Sequence, residues 1–276
     1  MSEKSVGSFR MFGLMYMRNI RQFPRIPVVL VFGIVMPIIQ LLLFGNLFSG
    51  VTALPGFKNA YPGVEYQSYI VPAVLLFTIF VGMANSSAAF IVDLRTGYFD
   101  KLRTTPARPS IVIIARMFAE MTRVAGQGTF VLLIALLFGA SVKSGFLGAI
   151  LMIVLATVFS ACIAGLGVMA LAMKTKSDQA TQSAFPLFFV LMFLSSAFQA
   201  KEAIDKDWLR TVVDINPVNF LIESLRALMI GVNDGGVMVE SYPWDKIGIV
   251  LAAAAAGAVL FGFLNMRVYK STIEGK

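Results

Sequence analysis

An all-helical membrane protein with six transmembrane helices is predicted by three features of this sequence. Its mean hydropathy is +0.80, with 58% hydrophobic and only 14% charged residues, outside the range of ordinary soluble domains. Its apolar residues come in runs of about 20, the length that crosses a hydrocarbon core of roughly 30 Å at about 1.5 Å per residue. Its Lys and Arg residues collect in alternate loops between those runs, as the positive-inside rule requires. Residues 1–276 read as a single transmembrane domain.

The chain has no histidine, and its one cysteine, Cys162, lies inside an apolar run. Disulfides, zinc sites and Cys–His nucleophiles are therefore excluded, and Cys162 reads as a small packing residue. The formal charge of +8 does not point to nucleic acid, because the charges sit in short loops rather than on a soluble basic face.

Residues 5–25 are predicted to form an interfacial helix. At about 100° per residue, Phe9, Phe12, Tyr16, Ile20 and Phe23 share one face, with Arg10, Arg18, Arg21 and Arg25 opposite. The aromatic face would enter the acyl boundary and the arginines would meet anionic headgroups; the alternative is a plain basic flank before the first span. Pro24 and Pro27 end this helix. Spans follow at 27–48, 69–92, 111–140, 146–173, 181–199 and 247–267, the first kinkable at Pro37. Arg116, Glu120 and Arg123 place the start of the third span in the cytoplasm, with membrane from about Val124. With both termini inside, sixteen of the 23 basic residues fall on the inner side and seven on the outer.

Residues 203–231 are predicted to form an outer helical segment. Asn216 suits an N-cap, Pro217 the first helical position and Gly231 the stop. Val218, Leu221, Leu225 and Leu228 make an apolar stripe, with Asn219, Glu223 and Arg226 on the other face. Fourteen residues reach only about 21 Å, so this helix is either re-entrant, as a lid over a path, or packed on the outer surface.

With the membrane part of the third span taken from about Val124, the spans carry no acidic residue between their ends, which disfavours coupling to an ion gradient. There is also no GxxxxGK[ST] phosphate loop, so any pumping must draw on a partner. Attention falls on residues 93–110, a charged loop between two apolar runs. Asp93, Arg95, Asp100, Lys101, Arg103 and Arg108 exceed what topology needs, and Gly97 and Pro106 bracket a short element. Tyr98, Phe99 and Leu102 give it one apolar side, which either docks into a groove of a soluble protein or belongs to a solvated loop.

The run Asp93-Leu94-Arg95-Thr96-Gly97-Tyr98-Phe99-Asp100-Lys101-Leu102-Arg103-Thr104-Thr105-Pro106, followed by Arg116, resembles the cytoplasmic loop of type-2 permease subunits of ATP-binding-cassette transporters. Asn216-Pro217, with Leu225-Arg226-Ala227-Leu228 and Gly231, resembles the segment before their last span. The likeness covers essentially the whole chain and is closest to the daunorubicin-resistance, antibiotic-exporting type. It implies a permease in a bacterial cell membrane that binds no cofactor itself. Two such chains would pair as a homodimer, and two separate ATPase subunits would carry ATP and Mg. The N-terminal helix and residues 97–106 would form the coupling surface. The implied cargo is a lipophilic drug or lipid-like molecule, taken from the cytoplasm or inner leaflet; a lipid-linked glycan is the alternative within the family.

Polar groups within the spans, among them Gln40, Asn85, Ser86, Gln127, Thr157 and Ser160, either line a path or join helices. Ala161 with Gly165 and Ala253 with Gly257 permit close helix approach, within one chain or across a dimer. The phenylalanines and methionines suit a pliable cavity or lipid-facing packing equally. The rival classes are a secondary transporter, in which export fails when the proton gradient collapses, and a membrane scaffold, which shows no cargo-stimulated ATPase activity. No acid/base pair or activated nucleophile marks a membrane enzyme. Gly97→Pro and Asp100→Lys are each expected to abolish capture of an ATPase partner in pull-down while leaving the spans folded; unchanged capture in both variants would exclude the coupling-loop reading.

Overall fold

A computed structural model describes residues 8–22, 27–104, 109–163, 184–198, 201, 204–240 and 242–269. Eleven α-helices and one small hairpin account for nearly all of them. Helix α1 (Ser8–Gln22) lies along α6 (Pro109–Leu137). Helix α2 (Pro27–Leu47, containing Pro37) packs on α4 (Tyr66–Arg95) and α6. A 3-10 turn (Ser49–Ala53) and α3 (Pro55–Ala60) join α2 to α4, and α5 (Tyr98–Arg103) follows α4. Helix α7 (Gly145–Ile163) packs between α6 and the last helix, α11 (Trp244–Tyr269). Helices α8 (Ala184–Phe193), α9 (Asp207–Ile215) and α10 (Pro217–Ile230) come between them in the chain.

The windows Ser110–Leu137, Gly145–Cys162 and Trp244–Leu264 are long and apolar enough to cross a membrane, and Val35–Leu47 and Tyr66–Gly82 are shorter apolar stretches. In α11, Val259, Leu260, Phe263 and Leu264 stand exposed, an apolar outer surface of the kind that faces lipid or another protein. The end of the fourth predicted span, the loop with Lys174, Lys176 and Asp178, and the start of the fifth span lie outside the described residues.

Within the fifth predicted span, the helical structure ends before the apolar run does. Helix α8 stops at Phe193, and residues 194–197 form a turn. Asn216 Nδ2 donates to the carbonyls of Leu191 (2.7 Å) and Leu194 (2.8 Å), and Ser195 Oγ caps Met192 O, so side chains take up the helix's terminal acceptors.

Small residues set the closest helix contacts. A Cβ on Gly257 of α11 would stand 2.1 Å from Cys162 Sγ of α7, so this glycine serves packing within one chain. Between α10 and α11, β1 (Val232–Asp234) pairs antiparallel with β2 (Val237–Val239) through Gly235 and Gly236, both at positive φ (60° and 90°) as a tight hairpin of this kind requires. Gly257→Ala is expected to lower stability by about 1–3 kcal/mol, and Cys162→Ala to restore most of it, because the nearest remaining atom is Cys162 Cβ at 3.5 Å. Thermal unfolding of the solubilised single and double variants checks both.

Candidate functional site

The corner where α1, α4, α5 and α6 meet is organised by one buried carboxylate. Asp93, in the last turn of α4, is 3% exposed, and a charge so buried persists only if it is paired and hydrogen-bonded. Arg18 of α1 donates from Nη1 to Oδ2 (3.1 Å) and from Nη2 to Oδ1, a two-point fork. Arg116 of α6 donates to the same Oδ2 (3.2 Å) and to the Ser86 carbonyl of α4 (2.7 Å). Two cations on one anion leave a surplus positive charge. Aromatic faces answer it: Arg18 lies over the Tyr98 ring at 3.6 Å and Arg116 over Phe90 at 5.1 Å. Burial pulls the Arg18 guanidinium downward, but Asp93 and Tyr98 outweigh it and hold the group above its ordinary value. Burial likewise pushes the Tyr98 phenol up, against the pull of Arg18.

Local geometry then turns the chain into α5. Thr96 Oγ1 donates to Val92 O (2.9 Å) and closes the end of α4. Gly97 follows at φ 66°, a left-handed conformation that suits glycine. The apolar side of α5 faces its own bundle: Phe99 and Leu102 are buried with Phe90, Ile91, Val112 and Ile113, and the Phe90 and Phe99 rings lie 4.9 Å apart. Phe99 and Leu102 are therefore not available for the apolar contact with a partner expected of Tyr98, Phe99 and Leu102, while Tyr98 is half-buried. Lys101 of α5 and Arg95, the last residue of α4, are exposed. Asp100 and Arg103 belong to the α5 backbone, while Pro106 and Arg108 lie outside the described residues.

Helix α1 departs from its expected placement for a similar reason. Phe12 meets Phe118 of α6 edge-on at 5.7 Å, and Tyr16 Oη bonds Thr122 Oγ1 at 2.9 Å, so these two aromatics pack on protein. Arg18 turns inward to Asp93. Phe9, Leu14 and Met17 are exposed beside Arg10 and Arg21, and these residues form the outward face. Helical periodicity defines two faces but not which of them has a protein neighbour.

A second polar cluster occupies the other end of α4. Helix α10 packs against α4 and α7, with Asn219 and Arg226 each 3% exposed, so its polar face is not turned to solvent. Arg226 donates to Ser196 Oγ (3.1 Å) and Ser196 O (2.5 Å), and its guanidinium lies 3.9 Å from the Tyr69 ring centroid. Asn219 Oδ1 accepts from Ser196 N (3.0 Å) and Ser196 Oγ (2.6 Å), and Asn219 Nδ2 donates to Glu223, which also meets Lys246 (3.2 Å). Asn216 Oδ1 caps α10 through Val218 N at 3.0 Å, with Pro217 at the first position. Gly231 ends the helix at φ 84°, where a Cβ would meet Val239 O at 2.1 Å. Sequence reasoning did not find Tyr69 and Ser196 as partners of Arg226; an arginine next to an apolar stripe was the signal that a buried acceptor set lay elsewhere in the chain.

A helical bundle with one charged corner, a buried outer helix and long apolar spans is the build of a membrane transport component. Residues 10–230 match the ABC-2 type transporter family, and the chain belongs to it. It is 28% identical over 261 residues to the daunorubicin resistance ABC transporter permease protein DrrB1 of Streptomyces coeruleorubidus, covering 92% of this chain and 84% of that one. It is 30% identical over 267 residues to the putative transport permease ycf38 of Pyropia yezoensis, covering 93% and 88%. The ycf38 permease of Cyanophora paradoxa is 28% identical over 215 residues, covering 75% and 70%. As a multi-pass permease of this family, the chain is a transport component whose ATP hydrolysis falls to a separate ATPase subunit.

Asp93→Asn is expected to cost about 3–5 kcal/mol, because it leaves Arg116 buried without its counter-charge. In a double-mutant cycle, Arg18→Met and Asp93→Asn should be strongly non-additive, measured by thermal unfolding in one detergent.

Proposed function

We propose that this chain is the permease half of an exporter in a bacterial inner membrane, moving a lipophilic drug or lipid-like molecule outward with both termini cytoplasmic. Two copies pair as a homodimer, and two ATPase subunits, holding ATP and Mg, dock on the charged corner. The observation that carries this reading is the clamp on Asp93. It ties α1, α4 and α6 together beneath the basic surface of α5, so a force applied to that surface moves the helices as one body. The named drug-resistance relative supports the cargo class, and the excess of basic residues on this side supports the orientation.

Coupling follows from the packing. Phe99 and Leu102 anchor α5 to α4 and α6, and Arg95 and Lys101 present positive charge to an acidic groove of the ATPase. When ATP closes the two motors, α5 is displaced with its groove, and α4 and α6 tilt with it. Small displacements become rigid-body motion because a packed core repacks rather than stretches.

The test is affinity capture of the solubilised chain, mass identification of what accompanies it, and assay of its ATPase activity. A nucleotide-binding protein whose hydrolysis depends on this chain is expected. Lys101→Glu should weaken capture severalfold at low salt, with unfolding temperature unchanged and the difference shrinking as salt rises. A chain that captures no ATPase in several mild detergents would exclude the exporter reading.

A further inference from the structure

Between α2, α4 and α6 lies a small cleft lined by Gly33, Met36, Pro37, Phe77, Thr78 and Gln127, with room for a single water-sized group. Its walls are mostly apolar, yet the polar side chains of Gln127 and Thr78 also line it. Gln127 is held by an ion pair on its own helix: Arg123 Nη1 donates to Gln127 Oε1 at 2.5 Å, while Arg123 Nε donates to Glu120 Oε2 at 3.0 Å. Glu120 and Arg123 have side chains only 6% and 7% exposed. The arginine has this room because α4 carries Gly82 opposite, where a Cβ would fall 1.4 Å from Arg123 Nη2.

With its oxygen engaged, Gln127 turns its NH2 donor toward α2. Nε2 lies against Gly33, at a point where a Cβ would approach within 2.3 Å. Pro37, four residues on, has no N–H, so the Gly33 carbonyl lacks its helical donor. Thr78 Oγ1 donates to Val74 O (2.9 Å), which leaves its lone pairs as acceptors. The cleft therefore combines one donor with acceptors. A ketone or ether oxygen meets only the donor, and an ammonium only the acceptors. A hydroxyl matches both and has the size the cleft admits.

We propose that this cleft is a hydroxyl-binding subsite for cargo, with Gln127 as the contact residue and Glu120 and Arg123 as its positioning pair. The inference rests on the exporter reading and narrows its cargo to an apolar molecule bearing a hydroxyl group.

The probe is daunorubicin, an apolar ring system with hydroxyl groups, titrated by its own fluorescence against the full chain in lipid nanodiscs, with empty nanodiscs subtracted. Gln127→Glu keeps the acceptor that Arg123 uses and removes the donor. Gly33→Ala fills the cleft. Each is expected to weaken binding about five- to tenfold while ATPase capture is unchanged. In competition, 1-naphthol should displace the probe at least fivefold better than 1-methylnaphthalene, its counterpart without the hydroxyl, and Gly33→Ala, which fills the cleft, should erase that preference. Equal affinity in wild type and both variants would mean a structural water only and would overturn the subsite, as would a wild-type chain that captures its ATPase but binds no daunorubicin. Loss of ATPase capture by the wild type would instead overturn the exporter reading.

Discussion

Two guanidinium groups share the Asp93 carboxylate, and the cytoplasmic architecture proposed for this permease depends on that contact. A buried carboxylate is strongly destabilising alone, and each arginine is costly without it. Only the simultaneous arrival of α1, α4 and α6 satisfies all three. The apolar contacts around it, Phe90 with Phe99 and Ile91 with Ile113, would tolerate small slides between helices. The fork from Arg18 and the bond from Arg116 would not, because hydrogen bonds have direction.

The opposite end of α4 is tied by a different device. There Arg226 forms no ion pair among the described residues; it is met by carbonyl and hydroxyl oxygens of the 194–197 turn and by the face of Tyr69. Asn216 and Asn219 bind the same turn from the same helix. Between these two polar ends, contact is mainly apolar, the buried Glu120–Arg123 pair against Gly82 being the exception, and depends on close approach. Lipid gives helices no hydrophobic reason to associate, so packing and buried polar ties must supply what water supplies to a soluble core. Gly82 and Gly257 are where that approach is closest, one admitting Arg123 and the other Cys162.

These ties also divide the molecule by stiffness. Helices α4 and α6 are joined at the charged corner, along the core and at Gly82, which makes them a natural lever. Helix α2 has Pro37 in place of a backbone bond and meets the lever beside a small cleft.

The sequence by itself determined the helical membrane fold, the order of its helices and the two stretches that carry its polar chemistry. Apolar run length, Pro and Gly punctuation and the Asp93–Pro106 motif are local properties, legible without coordinates. Asn216, Pro217 and Gly231 act as cap, first residue and stop, as their backbone chemistry requires. Tertiary structure alone decided which face of each helix meets protein. Phe12 and Tyr16 pack on α6, Phe99 and Leu102 turn into the bundle, and Arg226 is enclosed by the Tyr69 ring of α4 and by the oxygens of Ser196, 30 positions away. In a chain this apolar, a lipid-facing stripe and a protein-facing stripe have the same composition. Only a partner's polar atoms, brought in from distant sequence, distinguish them.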